Sequence, residues 1–298
     1  MKTILITGGS GFIGRNLIEG LGKKYHILSP THQDLDLTDS AAVNKYFKKN
    51  SIDVVIHSAV GKGQYLFKDT ISMFLNLYRN IDKVKKFIYF GSGAEYDKSR
   101  DLVKIKESEF GKYIPKDDYG LAKYICHSIS KNNPKVVNLR LFGIYGKYED
   151  YLFKFISNSI AKNIFKQPII IKQNVIFDYL YIDDLISIVE FIVEHRINIR
   201  DLNIIPSKSI ALSEIVDIIN QISSNKSKIV VNNKGFNYQY TGSNKRLKIL
   251  MPDLTFTSYF VGIKKLYNYY TANLDLLDKN KVIKDDYYHK SKIKKIKI

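Results

Sequence analysis

The run TGGSGFIG, residues 7 to 14, constrains this chain more than any other stretch. It follows the apolar strand pattern TILIT directly and opens the helical pattern FIGRNLIEGL. Two glycine spacings overlap in it, G-x-G-x-x-G at Gly9, Gly11 and Gly14 and G-x-x-G-x-x-G at Gly8, Gly11 and Gly14. Glycines at such a turn permit a tight bend and let backbone amides approach a pyrophosphate, whose charge the helix N-terminus favours. A lone glycine pattern is weak. Set between a strand and a helix, it specifies a dinucleotide site on an α/β sheet.

The rest of the first half agrees. YHILS reads as the second strand and DLDLTD as a short extended segment, with DVVIHSAV and KFIYFGS as the fourth and fifth strands. Ser40 is placed to cap a helix over AAVNKYFKKN, its hydroxyl accepting an orphan amide of the first turn. Helical patterns follow at ISMFLNLYRNIDKV and DDYGLAKYICHSI, and KVVNLRLFGIYG brings in the sixth strand. This alternation is the signature of a doubly wound parallel sheet. Beyond about residue 146 the rhythm loosens. Helices are expected near DYLFKFISNSIA, DDLISIVEFIVEH, LSEIVDIINQI and VGIKKLYNYY, and strands at PIIIK, FDYLYI, DLNIIP and KIVV. Asp183 and Asp184 favour the positive end of the second of these helices. Residues after about 275 are expected to add little to the fold.

At 298 residues and 45% hydrophobic content the chain can bury a full core, and no apolar run approaches the ~20 residues that span a bilayer. MKTILITGG enters a strand at once without the flanks of a signal peptide. One cysteine, Cys126, excludes an internal disulfide framework and fits a reducing compartment, so the cytoplasm is expected. The net charge of +18 is Lys-rich and spread along the chain, which argues against nucleic acid as the partner. The concentrated patch KSKIKKIKI, residues 290 to 298, reads as a solvated tail, with membrane or polyanion contact the alternative.

Which dinucleotide binds is read from the end of the second strand, where an NAD site usually carries Asp or Glu for the ribose 2′-hydroxyl. YHILSPTHQ ends instead on Ser29, Pro30, Thr31 and His32, and the nearest acid is Asp34. Without a carboxylate, nothing repels a 2′-phosphate, and Arg15 or His32 can supply charge to it. NADP(H) is therefore preferred, with NAD(H) the alternative.

Tyr119 and Lys123, in DDYGLAKYICHSI, lie one turn apart on one helix face. The spacing alone decides nothing, since 22 Tyr and frequent Lys give roughly three such pairs by chance, and Tyr288 with Lys292 is another. Setting separates them, because Ser92 ends the preceding strand at the sheet edge where ligands bind.

The order and spacing of TGGSGFIG, DLDLTD, FIYFGSGAEY, YGLAK, RLFGIYG and FDYLYIDDL, over roughly residues 1 to 270, resemble the extended short-chain dehydrogenase/reductases, the NAD-dependent epimerase/dehydratase group. The resemblance implies a Rossmann-type domain over 1–146, joined by segments from about 174–205, with a smaller α/β substrate lobe over 147–173 and 206–274 and a basic tail over 275–298. It implies a catalytic triad of Ser92, Tyr119 and Lys123. Cofactor contacts are implied at Gly8, Gly11, Phe12, Ile13, Gly14, Arg15, Asp36, Leu37, Ser58, Ala59, Val60, Tyr119, Lys123 and Phe142. Substrate contacts are implied at Ser92, Gly93, Tyr119, Gly143 and Arg246. A homodimer through helices flanking the Tyr119 helix is the family expectation. In such a site a phenol hands a proton to a ketone oxygen as hydride reaches carbon. A free phenol has a pKa near ~10, and lowering it by about three units takes roughly 4 kcal/mol, part of which Lys123 is expected to supply.

Departures from the family pattern narrow the reaction. Dehydratases carry Asp-Glu after the Ser/Thr position, whereas Gly93 and Ala94 stand here, and Glu95 reads as a structural carboxylate. The epimerising reductases add a Cys and a His, and this chain has Ala94 and no His within LFGIYGKYEDYLFK. What remains is reduction of a nucleotide-linked 4-keto, 6-deoxy sugar, with an NAD-dependent C4 epimerase or dehydrogenase as the alternative and a non-catalytic dinucleotide-binding regulator as the reading from another class. Gly143 replaces a common Asn, and Phe177 a common Arg, so Lys172, Lys245 and Arg246 are the cations offered to a diphosphate. His57 reads as a core residue, Cys126 as helix packing, and no cluster has metal-ligand spacing.

Overall fold

The computed structural model describes residues 1–285 and Tyr288. The first half runs β1 (Thr3–Thr7), α1 (Phe12–Leu21), β2 (His26–Leu28), α2 (Ser40–Lys49), β3 (Val54–His57), α3 (Leu66–Tyr78), β4 (Lys86–Ser92), β5 (Leu102–Ile105), α4 (Asp118–Ser130), β6 (Val136–Leu141) and β7 (Gly143–Tyr145). The second half continues with α5 (Phe155–Ile164), β8 (Ile169–Asn174), β9 (Ile176–Phe177), β10 (Tyr179–Tyr181), α6 (Ile182–Glu194), β11 (Asp201–Ile204), β12 (Ile210–Ala211) and α7 (Leu212–Ile222). It ends with β13 (Ile229–Phe236), β14 (Tyr240–Gly242), α8 (Lys245–Leu250), α9 (Tyr259–Ala272) and α10 (Lys279–Lys284).

Six strands form the main sheet in the order β11-β6-β4-β3-β1-β2, all parallel. Alternation of side chains along each strand builds two cores from one apolar run. Ile4, Ile6, Ile56, Ile88 and Phe90 pack on the α1 and α6 side. Leu5, Val55, Phe87 and Tyr89 pack on the opposite side with Val43, Phe74, Leu77 and Cys126. After β2 the chain crosses back over β1 to lay β3 on its other side. That reversal opens a crevice at the carboxyl ends of the strands.

DLDLTD does not become a strand. The Asp36 carboxylate accepts from the Thr38 amide at 2.8 Å, and Asp39 accepts from the amides of Ala41 at 2.8 Å and Ala42 at 3.1 Å. These local bonds offer the backbone a turn in place of a sheet ladder. The cap of α2 is accordingly Asp39 and not Ser40, and DVVIH is the third strand of the sheet.

The second half does not build its small sheets alone. β14 pairs with β5 and β9, and β10 with β7, so strands from before residue 146 enter both. FDYLYI divides at Asp178, a buried carboxylate that accepts from the Ser209 hydroxyl at 2.6 Å and the Gly242 amide at 2.8 Å. Asp183 and Asp184 sit in the first turn of α6 as expected, and Asp184 also accepts from the Thr257 amide at 2.9 Å. The packed chain extends beyond residue 275, since Leu277 and Val282 are buried in the larger core. Asp285 pairs at 2.6 Å with Lys162, which is itself buried. Lys292 and the basic run at 290–298 lie outside the described residues. Among those described, no helix is long and apolar enough to cross a membrane.

Candidate functional site

Two adjoining hollows open along the carboxyl edge of the main sheet. The first, about 750 Å³, is lined by Gly8, Gly9, Ser10 and Gly11, by Ser29 to His32, by Asp36 and Leu37, and by Ser58, Ala59 and Val60. At Gly8 the backbone is left-handed (φ +72°), and a Cβ there would stand 2.8 Å from the Ala59 nitrogen. Gly14 lies behind the turn, where a Cβ would meet the Gly8 carbonyl oxygen and stand 2.8 Å from Gly9 Cα. The turn is thereby pressed against both the helix and the neighbouring strand. Gly11 caps α1 with no side-chain acceptor for the first amides, which leaves them to a ligand or water. This bare, side-chain-free cradle fits a pyrophosphate.

Around the ribose end, β2 finishes on Leu28 and Ser29 follows it, with no carboxylate at either position. Asp34 is occupied by the Thr31 amide at 3.0 Å and hydroxyl at 2.6 Å. Of the two side chains offered for a 2′-phosphate, His32 lines the hollow and Arg15 does not. The Arg15 guanidinium lies 4.8 Å from the centroid of the Tyr148 ring. Lys62 lines the hollow instead.

The second hollow, about 590 Å³, shares Ser58 and Val60 with the first and is lined by Phe12, Ile13, Ser92, Tyr119, Lys123 and Phe142. Ser92 ends β4, where its hydroxyl accepts from the Ala94 amide at 3.1 Å. Asp117 caps α4 by accepting from the Gly120 amide at 3.1 Å, which sets Tyr119 in the first turn and Lys123 one turn on. Desolvation pushes the Tyr119 phenol above its ordinary value, opposed by hydrogen bonding to Ser92. Lys123 is buried, donates to the Phe90 carbonyl at 2.8 Å, and lies 5.9 Å from the Tyr119 ring centroid. Desolvation pulls its ammonium down to about 8. Burial thus outweighs the hydrogen bond to Ser92, and the phenol stands above its ordinary value.

Glu95 does point elsewhere, as expected of a structural carboxylate. It is fully buried, accepts from the Ser92 amide at 3.0 Å and pairs with Arg140 Nε at 2.7 Å. Arg140, also fully buried, pairs in turn with Asp201. Arg246 belongs to this cluster, 3.6 Å from Asp201 and 3.9 Å from Glu107, and is not in the lining of the second hollow. Gly143 and Gly93 are packed behind the wall, against Tyr179 and against Tyr240 with Phe142. Lys172 lies over the Tyr288 ring, 4.9 Å from its centroid, outside the hollow's lining. His57 is buried, with Nδ1 2.7 Å from the Thr7 hydroxyl, and desolvation pulls it down to about 3. Cys126 is a core residue of α4. Among the described residues no group of His, Cys, Asp or Glu is arranged to hold a metal.

Several lining residues escaped the sequence reading, among them Lys98, Lys154, Tyr238 and Tyr240. Lys98 pairs with Asp117 at 2.9 Å and lies over the Tyr119 ring. Tyr240 reaches the hollow from β14, packed between Phe142 at 5.0 Å and Phe177 at 4.7 Å. They arrive from loops and lobe strands with no local motif, and no sequence signal marked them.

Comparison with known proteins bears on the whole arrangement. A GDP-L-fucose synthase from Azorhizobium caulinodans is 29% identical over 171 residues, which are 50% of this chain and 54% of that protein. The chain thus spans about half the length of that curated relative. A GDP-6-deoxy-D-talose 4-dehydrogenase from Aggregatibacter actinomycetemcomitans is 24% identical over 89% of this chain and 96% of its own. A GDP-mannoheptose C4 reductase from Campylobacter jejuni, solved with NADP bound, superposes with a TM-score of 0.75 at 20% identity, covering 91% of this chain and 98% of that one. It shares the fold. The family model described as the NAD dependent epimerase/dehydratase family matches residues 4–204, from the first strand through the last strand of the sheet, and the chain belongs to that family.

Proposed function

We propose that the protein reduces the 4-keto group of a nucleotide-linked, 6-deoxy sugar with NADPH. The observation that carries this reading is the meeting of Ser92, Tyr119 and Lys123 in the lining of a hollow of about 590 Å³ that shares Ser58 and Val60 with the dinucleotide-sized one. A bound dihydronicotinamide supplies the hydride. Tyr119, held above its ordinary pKa, is protonated at neutral pH, which is the state a ketone reduction requires of its acid. The phenol gives its proton to the carbonyl oxygen, Ser92 orients that oxygen, and the Lys123 ammonium stabilises the phenolate left behind.

Elimination of water lacks its acid–base pair, because Gly93 and Ala94 have no ionisable side chain and Glu95 is committed to Arg140. Lys98 and Lys154 are the cations in the lining that suit a diphosphate. NADPH is favoured over NADH by the absence of a carboxylate at the end of β2 and by His32 and Lys62 in the lining. The names of the talose dehydrogenase relative and the mannoheptose reductase both describe redox chemistry at C4 of a GDP-linked sugar, which agrees with this choice.

The test is to incubate the purified protein with a panel of nucleotide-linked 4-keto-6-deoxy sugars, GDP-linked ones first, and follow oxidation of NADPH and NADH separately. Net NADPH oxidation with one of them, at least about tenfold faster than with NADH, is the expected result. Tightly retained NAD, no net oxidation and interconversion of C4 epimers would replace reductase by epimerase.

Lys123 also predicts a pH dependence. Its folded pKa of about 8 lies below the ordinary lysine value, so the ammonium is complete below that pH and lost above it. Turnover in the reducing direction is expected to be level through neutrality and to fall as pH rises past about 8. A rate that climbs through this range would show that the cation is not needed.

A further inference from the structure

We propose that Glu149 is a specificity-determining contact of the second hollow, reading one hydroxyl of the sugar ring, at C2 or C3, through a carboxyl oxygen that the protein leaves free. The inference rests on the reading above for the ring carbons concerned. A 4-keto, 6-deoxy hexose joined to its nucleotide through C1 keeps hydroxyls only at C2 and C3. The glycine turn, Ser92, Tyr119 and Lys123 give the hydride and the proton their places and require no carboxyl in this hollow.

Among the described residues that line the hollow, Glu149 is the only carboxyl. It stands in the turn after β7, where Tyr148 is left-handed (φ +70°), a strained backbone for a tyrosine. Asp150, one residue on, is exposed to water, whereas Glu149 is only 6% exposed. Three elements hold it there. Its amide donates to the Gly146 carbonyl at 3.2 Å, its own carbonyl accepts from the Tyr270 hydroxyl of α9 at 3.4 Å, and its Oε2 accepts from the Ser157 hydroxyl of α5. Oε1 has no hydrogen-bond partner among the described residues, yet it is not sealed inside the protein. The side chain is thus fixed by one oxygen and offers the other to the hollow it lines.

A carboxyl in this position has to suit an anionic ligand. No cation forms an ion pair with Glu149 among the described residues, although the Lys154 ammonium, also in the lining, acts on it at longer range. Burial pushes the carboxyl up to about 8, so at neutral pH it keeps its proton and adds no charge to repel a diphosphate. A protonated carboxyl both donates and accepts. Oε2 accepts from Ser157, which leaves Oε1 to carry the proton toward a ligand oxygen. A hydroxyl matches such a group, since it too donates and accepts. A ligand without that hydroxyl would leave a desolvated acid unpaired, and a site of this kind rejects it for that reason. A purely structural role accounts for the bond to Ser157 but gives the second oxygen nothing to do in a cavity.

The test titrates the full chain, with NADPH bound so that alcohols stay unreacted, against GDP-mannose, GDP-glucose, UDP-glucose and UDP-galactose. The 2-deoxy and 3-deoxy analogues of the tightest of these follow. One analogue is expected to bind about tenfold more weakly than its parent, the size of one hydrogen bond. In Glu149→Leu that loss is expected to shrink below about twofold, and in Glu149→Gln, which keeps a donor and an acceptor in the same volume, to stay above about fivefold. The Glu149 carboxyl carbon, ¹³C-labelled and assigned with the Gln variant, gives a reading in the unaltered protein. Its resonance is expected to move with the parent sugar and not with that analogue. The proposal is overturned by equal losses in the wild type and Glu149→Leu, by a loss in Glu149→Gln as small as in Glu149→Leu, or by no loss with either analogue. A resonance that responds alike to parent and analogue overturns it too, as does a panel in which no sugar adds affinity over its free nucleoside diphosphate. Hydroxyl discrimination without NADPH oxidation by the keto sugars sinks the reductase reading and leaves this one. Turnover of those sugars, with Glu149→Leu discriminating like the wild type, sinks this inference alone.

Discussion

Tyr119→Phe is expected to lower kcat by about 10³-fold while the dissociation constant for NADP(H) changes by less than about twofold. The magnitude is that of a general acid removed from a site that otherwise keeps its orienting groups. The selectivity follows from where the hydroxyl points. The glycine cradle, Asp36, His32 and Ser58 to Val60 line the first hollow, and Tyr119 is not in its lining. Phenylalanine keeps the ring under Lys98 and leaves the Asp117 cap of α4 intact, so the helix start is undisturbed. Stopped-flow turnover and cofactor titration by fluorescence check the two halves independently. A variant that keeps its turnover would remove Tyr119 as proton donor. One that loses cofactor as well would place the phenol in binding rather than in proton transfer.

The sequence made the cofactor half of this site legible and left much of the other half dark. A glycine turn is local: strand, bend and helix start lie within a dozen residues, and the steric demand at Gly8 and Gly14 is met by neighbours the pattern itself implies. Tyr119 and Lys123 were legible for the same reason, as one helical turn following a strand that ends on Ser92. The partner that Lys123 selects was not legible, because the Phe90 carbonyl belongs to another element and the choice depends on how deeply α4 packs on β4. DLDLTD was misread because alternating apolar residues suggest a strand while three aspartates compete for nearby amides, and the aspartates win. Tyr240 and Lys154 converge on the cleft through lobe topology alone. The setting of Arg246 was not legible, because its neighbouring carboxylates, Glu107 and Asp201, come from elements remote in sequence.

Glu95→Ala is expected to destabilise the protein by about 3–5 kcal/mol, the cost of leaving a buried charge without its partner. Arg140 is enclosed on all sides, with Tyr96 and Phe110 rings 4.8 Å and 4.9 Å from its guanidinium carbon. Removing the carboxylate strips it of the bond at Nε, leaves only Asp201 as counter-charge, and orphans the Ser92 amide at the same time. Glu95→Gln keeps the volume and an acceptor for Ser92 but loses the charge, so an intermediate loss is expected. A paired Glu95→Leu, Arg140→Met change is expected to recover much of the stability, because exchanging a whole buried pair for apolar side chains is often neutral or better. Urea denaturation of the three variants checks the order. If the paired variant proved no more stable than Glu95→Ala, the loss would come from the Ser92 amide and the backbone it anchors. The pair would then serve to hold the end of β4, and with it the serine, in place.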